Sequence, residues 1–333
     1  MSGNASFKFF TFRVGVNLKA RALIDVIIFI FLYAYSYILI SNYISGDQEH
    51  YRKLYELFSD ANFTSIFLIA PGVIGSSEPI SLFILWLGSV LSIDKDIYIS
   101  FWNAILLFGF LKLSQKNRLG VFFGILLLTN FYVVILLTGV ERLKFAFIFI
   151  IYYYLFFEKK FLSVSLLGLA VLSHFQTLLF IFGLGAYSSL NFLKPVLLRA
   201  KIKFYTLGLL VFTLACTACL FHFFGDTLLD KGQAYIQDGS LISLINLFFL
   251  LVVALLSTRN RANMAVMIVA FFPVVYVLGG ERVNMVVFML VLLKLMAEGR
   301  ANQPVFMVLM TYFTVKSFGF VYNIFVYGNG FYA

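Results

Sequence analysis

Residues 136–150 read LLTGVERLKFAFIFI, an apolar stretch interrupted by three charged side chains, Glu141, Arg142 and Lys144. An ionisable group embedded in a membrane costs free energy unless it is paired or hydrated, so such groups mark candidate functional sites. The stretch therefore predicts a membrane helix that begins at a site of functional interest.

The same Gly-x-Glu-Arg step occurs again at residues 277–290, which read VLGGERVNMVVFML and contain Glu281 and Arg282. One interpretation is structural: each Glu-Arg pair extends to the lipid headgroups and anchors its helix at the membrane surface. The other interpretation is functional, and two copies at matched positions favour it.

The composition is that of a helical membrane protein. The 333 residues are 62% hydrophobic and 12% charged, and they include 42 phenylalanines, whereas a soluble domain has about 25% charged residues. Apolar runs long enough to cross a bilayer recur along the chain. We predict an all-α polytopic membrane protein in which residues 1–333 form a single transmembrane domain of about 10–12 helices.

The basic residues predict the topology. The net charge is +10, but the basic residues lie in short loops between apolar runs, which is the pattern of the positive-inside rule and not of a nucleic-acid-binding surface. Four basic residues place residues 1–21 in the cytoplasm as an N-terminal arm. The first span then leads to an outer or periplasmic loop at residues 45–79.

Two segments are expected to depart from simple spanning helices. Residues 79–92 are too short for a span, and more basic residues fall on the inner side if this helix is short or re-entrant. Residues 161–190 lie between two basic loops and are too short for two full spans of about 20 residues each. We predict an abbreviated helical hairpin that turns near Ser173 and His174; the alternative is one tilted span.

The two arginines suggest a phosphate-binding site. With this topology Arg142 and Arg282 each begin a helix at the outer mouth of a tight turn. A guanidinium group binds phosphate oxygens through two parallel hydrogen bonds, and the free N–H groups of a helix start add positive potential. We expect both arginines, with Lys144, to bind the diphosphate of a polyprenyl-linked substrate.

Several other residues are candidates for proton transfer. His174 lies beside Gln176 at the predicted turn, and its ordinary pKa of about 6.5 suits it to take a proton from a sugar hydroxyl. A lone histidine on an apolar face is more often a core residue than a catalyst. Asp47 and Glu78 are the other candidate bases on the outer side.

Five residues are candidates for sugar or orienting contacts: Glu141, Glu281, Tyr51, Tyr55 and Gln176. Tyr51 and Tyr55 are four residues apart, so they share a helix face on which a sugar ring could stack; they could equally belong to the aromatic belt at the membrane surface. Glu141 and Glu281 precede the two arginines and would orient them.

Several of these segments occur in an order that resembles a known family. GDQEHYRKLY (46–55) is followed by Glu78–Pro79, by ERLKFAF (141–147) with a later EKK turn, and by AVLSHFQTLL (170–179). The set covers roughly residues 45–180, and Arg282 adds a weaker match. In these elements the chain resembles the EpsG and Wzy-type polysaccharide polymerases, which make O-antigen, capsule or exopolysaccharide.

The resemblance implies a multi-span glycosyltransferase of the bacterial inner membrane, with a cytoplasmic N-terminus. Such an enzyme polymerises undecaprenyl-diphosphate-linked oligosaccharide repeat units on the periplasmic face, as in lipopolysaccharide biosynthesis, and polyprenyl diphosphate is the leaving group. The resemblance implies no metal, cofactor or nucleic acid. Its expected partners are the lipid-linked oligosaccharide, membrane lipid and a chain-length regulator protein.

Two other functions remain open from the sequence. A transporter or flippase of lipid-linked sugar would also show internal repetition, a broken hairpin and buried charge. An O-antigen ligase-like transferase would perform the same chemistry on a different acceptor.

Overall fold

The computed structural model describes residues 18–197, 241–278 and 280–331. In these ranges every regular element is a helix, which confirms the all-α prediction. Most of the predicted cytoplasmic arm, residues 1–17, and the predicted span at 204–224 lie outside the described residues.

Ten helices precede the gap that begins at residue 198. They are α1 (Leu18–Asn42), α2 (Asp47–Phe58), α3 (Ile66–Ile74), α4 (Pro79–Val90), α5 (Lys95–Lys116), α6 (Val121–Leu128), α7 (Phe131–Thr138), α8 (Glu141–Leu155), α9 (Lys160–Ser173) and α10 (Thr177–Leu197). Five helices follow it: α11 (Leu241–Ser257), α12 (Arg261–Val269), α13 (Phe272–Leu278), α14 (Gly280–Ala297) and α15 (Pro304–Tyr327).

Three of the described helices are long and apolar enough to cross a membrane: residues Ala20–Asn42 of α1, all of α5, and α15. Two sharply bent pairs raise the number to five if each is one span. The bend is 103° between α3 and α4, and 49° between α6 and α7. These helices agree with a multi-pass membrane protein.

The two unusual segments of the sequence are short helices joined by breaks. Residues 45–79, predicted as a loop, contain α2 and α3, and α4 turns back sharply from α3. In the predicted hairpin, α9 ends at Ser173 and α10 begins at Thr177. The helix break therefore coincides with the turn expected near His174.

The surface and the interior of the bundle have the polarity expected in a lipid environment. The outward side of α1 exposes large apolar side chains, such as Phe31 at 66% of its surface, and in water so much exposed apolar surface would be unfavourable. Inside, Asn103 of α5 donates to the hydroxyl of Ser36 at 2.7 Å and to the carbonyl of Leu137 at 2.9 Å. These bonds tie α1, α5 and α7 together, as polar side chains do between membrane helices.

The Glu-Arg repeat extends to the helices around it. A long helix, two short helices and a helix that begins at the Glu-Arg step occur in this order as α5–α8 and again as α11–α14. The sequences before the fourth helix also match: FYVVILLTGVER (131–142) and FPVVYVLGGER (272–282). The chain thus repeats this order of four helices, and we call each set a four-helix unit.

Candidate functional site

Arg142 and Glu78 form the centre of the candidate site. Arg142 is the second residue of α8, and its Nη1 lies 2.7 Å from Oε2 of Glu78. Glu78 directly precedes Pro79, which begins α4; proline suits this first helical position because its missing N–H would be unpaired there anyway. Glu78 is 1% exposed and Arg142 is 17% exposed. The ion pair therefore joins the starts of two helices below the protein surface.

The guanidinium of Arg142 is held along two edges and free at the third. Its Nε donates to the hydroxyl oxygen of Tyr51 in α2 at 3.0 Å, and burial raises the pKa of Tyr51, so this hydroxyl stays protonated. The remaining nitrogen, Nη2, has no hydrogen-bond partner among the described residues and is not a fully buried atom. This edge can donate hydrogen bonds to a bound anion.

His174 contacts the other oxygen of the same carboxylate. Its Nδ1 lies 3.1 Å from Oε1 of Glu78, and its Nε2 lies 3.2 Å from the side-chain oxygen Oε1 of Gln176. A neutral imidazole that donates from Nδ1 keeps a lone pair on Nε2, and this lone pair meets a donor when the Gln176 amide is turned so that its NH₂ group faces the ring. Glu78 therefore links a phosphate-binding arginine to a histidine that can accept a proton.

The protonation states follow from burial and charge. Glu78 and His174 both lie in breaks between helices. Burial raises the pKa of Glu78, but the hydrogen bond from His174 and the charge of Arg142 outweigh burial and lower it to about 2. Burial lowers the pKa of His174, although Glu78 opposes this shift. At neutral pH Glu78 is ionised and His174 is neutral, so His174 is the better proton acceptor.

A second charged cluster lies beside the first and is almost completely buried. Oε2 of Glu141 lies 2.7 Å from Nζ of Lys144, and Oε1 lies 3.5 Å from Nζ of Lys95. Gln48 donates to Glu141 at 2.8 Å and to the carbonyl of Thr138, and it accepts a hydrogen bond from Lys95 at 2.6 Å. The charged cluster ties α2, α5, α7 and α8 together below the candidate site.

The two clusters together carry an excess of positive charge. Glu78 offsets Arg142, whereas Glu141 provides the one carboxylate among the described residues that contacts both Lys95 and Lys144. A buried charge without a full counterion is costly, and a bound anion would reduce that cost. Since Glu141 and Arg142 are neighbours in sequence, the excess lies next to the free edge of the guanidinium.

Four of the residues predicted from sequence, among them Glu141, lie away from this network or inside the second cluster. Asp47 is exposed in the first turn of α2. Tyr55 is buried against Tyr98 and donates its hydroxyl to the carbonyl of Ile93 at 2.9 Å. Lys144 is fully buried and bonded to Glu141. Of the predicted residues, Arg142, Glu78, His174, Gln176 and Tyr51 meet in one network.

The second half of the predicted phosphate site is not described. Residues 281 and 282 belong to the start of α14, but the side chains of Glu281 and Arg282 lie outside the described part of the structure. The expectation that Arg282 joins Arg142 stays a prediction.

Sequence reasoning did not single out Gln48, Lys95 or the pair of Arg52 with Asp96. Lys95 is the first residue of α5 and is only 5% exposed, since its ammonium group donates to Gln48 of α2. Nη1 of Arg52 lies 2.9 Å from Asp96 and fixes α2 against α5. The position of Gln48 inside the GDQEHY motif was the one indication that this residue belongs to the site.

The described residues hold no group of three or more His, Cys, Asp or Glu side chains that could bind a metal ion. Comparisons of the chain with protein-family models, with curated proteins and with solved structures find no match. A functional assignment therefore rests on the site itself.

Proposed function

We propose that the chain is a membrane-embedded glycosyltransferase that polymerises undecaprenyl-diphosphate-linked oligosaccharide repeat units. The observation that carries the proposal is the ionised Glu78 between Arg142 and His174, because it places an anion-binding group and a proton acceptor on one carboxylate. The resemblance to polysaccharide polymerases in residues 45–180 supports the same chemistry.

In this proposal Arg142 stabilises the leaving diphosphate. The free Nη2 edge and the N–H groups at the start of α8 bind phosphate oxygens, and the excess charge of the second cluster adds positive potential. Arg282 would add a second guanidinium from the matching position of the repeat. Lys144 contributes positive charge to the second cluster through its ion pair with Glu141 and does not touch the substrate.

His174 acts as the general base. The acceptor hydroxyl replaces Gln176 at Nε2, its oxygen attacks the anomeric carbon of the donor, and the bond from that carbon to the diphosphate breaks. The proton passes to Nε2 of His174, and Glu78 stabilises the imidazolium that forms. General-base catalysis of this kind contributes about 10²–10⁴-fold.

The proposed setting is the bacterial inner membrane, with the N-terminus in the cytoplasm and the site at the periplasmic face. Three long helices, or five spans if each bent pair is one, support a multi-pass membrane protein, and five shorter apolar helices accompany them in the described residues. The proposed reaction uses no metal or cofactor, and a chain-length regulator is the expected protein partner.

The test is elongation of lipid-linked repeat units by the purified, reconstituted protein. The wild type should convert single units into a ladder of polymers, and His174→Ala and Arg142→Ala should each lower the rate at least about 100-fold. Arg259→Ala is the control, since Arg259 is exposed and lies outside the network. A wild-type ladder from the double variant Arg142→Ala with His174→Ala would refute the proposal.

Two observations keep a flippase as the second candidate: the repeated four-helix unit and the bent helix pairs, both of which are common in transporters. Translocation of lipid-linked units without elongation in the same vesicles would identify a flippase. Transfer of finished polymer to a lipid core would identify a ligase-like transferase.

A further inference from the structure

A cleft of about 730 Å³ lies between α7 of the first four-helix unit, α11 and α14 of the second, and α15. Its volume is in the range of ligand sites, about 300–1,000 Å³. The outer rim includes Phe249, Val308 and Tyr312, which are 57%, 71% and 58% exposed. Because these large apolar side chains belong to membrane helices, the cleft opens sideways towards the lipid.

Polar groups line the same cleft. Asn284 is 8% exposed; its Nδ2 donates to the carbonyl of Ser243 at 3.3 Å, but its Oδ1 is buried without a hydrogen-bond partner. Lys316 has no carboxylate partner among the described residues, and its ammonium lies 4.2 Å from the ring centre of Phe131. The exposed ammonium of Lys316 is a cation with which an anionic ligand end would pair, and Oδ1 of Asn284 is an acceptor that a hydroxyl beside that anion would satisfy.

The repeat relates this cleft to the candidate site. Asn284 follows the second Glu-Arg step at the position that Lys144 occupies after the first. Lys144 is fully buried and bonded to Glu141, whereas Asn284 lines an open cleft. The first unit therefore carries an ion cluster where the second carries a cavity.

The cleft also adjoins the candidate site through α7. Tyr132, in the first turn of α7, lines the cleft. The helix ends at Thr138, about 9 Å further along its axis, where Gln48 of the second charged cluster binds the Thr138 carbonyl. The cleft and the second charged cluster therefore adjoin the two ends of one short helix.

We propose that this cleft binds the hydrocarbon chain of a polyprenyl-linked substrate, with the phosphate end of the lipid towards Asn284 and Lys316. This inference rests on the proposed function, in which the donor and the acceptor each carry a lipid chain. The lining from Val305 to Lys316 extends about 16 Å along α15, roughly half of the hydrocarbon core of a bilayer. The cleft therefore holds the part of the chain nearest the phosphate.

The inference is tested by lipid binding, without turnover. Native mass spectrometry of the full chain in detergent would measure the affinity for undecaprenyl phosphate. Val308→Trp fills the cleft and should weaken binding at least tenfold. Val315→Trp is the matched control, because Val315 is an exposed valine of the same helix that does not line the cleft, and it should change binding less than twofold. Lys316→Gln should weaken binding about fivefold.

Two outcomes would overturn the assignment: unchanged affinity in Val308→Trp, or equal competition by phosphatidylglycerol, which would make the cleft a general lipid site. If Val308→Trp fails to fold, Tyr312→Ala removes one wall of the cleft and should weaken binding in the same direction. Binding in the cleft without elongation by the wild type would refute the proposed function alone, and elongation with unchanged binding in the variants would refute the cleft alone.

Discussion

Glu78 and Arg142 are 64 residues apart in sequence and form an ion pair of 2.7 Å. The pair brings the start of α4 to the start of α8, and the second oxygen of the same carboxylate contacts His174. One buried carboxylate thus sets the positions of the two groups to which we assign phosphate binding and proton transfer. Most of the predictions below depend on this arrangement.

Arg142→Lys should lower the elongation rate at least about 100-fold although the charge is retained. A lysine cannot donate at once to Tyr51, to Glu78 and to a phosphate from a planar fork. A polymer ladder from reconstituted protein measures the effect, and Arg259→Lys serves as the exposed control. Wild-type chain lengths in Arg142→Lys would show that only the charge matters.

Glu78→Gln should remove an acid-sensitive contribution to stability. A carboxyl whose pKa is lowered in the folded state stabilises the fold above its unfolded pKa, and this contribution is lost as the pH falls through the folded value. For Glu78 the window runs from about 4.5 down to about 2. The melting temperature of the wild type should fall through this window more steeply than that of Glu78→Gln, as followed by tryptophan fluorescence. Parallel curves would contradict the assigned pKa.

The elongation rate should lose its dependence on mildly acidic pH when His174 is replaced. Burial lowers the pKa of His174, so the neutral base is the main form down to a pH below about 6.5. The acidic limb of the wild-type pH–rate profile should therefore lie below that value. The residual rate of His174→Gln should have no such limb, and an unchanged limb would exclude His174 as the base.

Glu141→Gln and Lys144→Met should have opposite effects on stability. Removal of the carboxylate leaves Lys95 and Lys144 buried without a counterion, at a cost of roughly 3–5 kcal/mol. Lys144→Met removes the surplus cation and leaves Glu141 beside Lys95, so it should fold at least as well as the wild type.

Thermal unfolding in detergent compares these two variants. Lys144→Met should in addition weaken the affinity for inorganic pyrophosphate, because the surplus positive charge next to Arg142 is gone. Equal destabilisation by both variants would show that the cluster acts as a neutral unit.

Gly88→Ala should destabilise the packing of α4. A methyl group at this position would lie 2.5 Å from both the hydroxyl of Tyr55 and the ring of Tyr98. Overpacking of this kind typically costs about 1–3 kcal/mol of stability. Gly168→Ala in α9 is the matched control, since a methyl group there meets no atom within 4 Å. Gly88→Ala should lower the melting temperature of the protein, and Gly168→Ala should leave it unchanged.

The helical class and the position of the hairpin break were predictable because apolar run length and basic loops are local properties of the sequence. The helix break falls at His174, where a histidine and a glutamine interrupt an apolar run. The helix start at Pro79 was equally local, since proline favours the first turn.

Other parts of the site depend on contacts between distant residues. Lys95 follows Asp94, which caps α5 through the backbone N–H groups of Asp96 and Ile97; nothing in that local pattern shows that the lysine is buried under α2. The helix α3 is nine residues long and contains Pro71, so its apolar run is too short to be recognised as a span. Its presence follows from packing against α2 and α4.

The start of α4 has one more consequence. A carboxylate just before a helix normally turns back to bind the N–H group of the second or third helical residue, but Glu78 makes no such bond. Its two oxygens contact Arg142 and His174 instead. The helix therefore forgoes the stabilisation of a side-chain cap, typically about 1 kcal/mol, while the same side chain joins the arginine to the histidine.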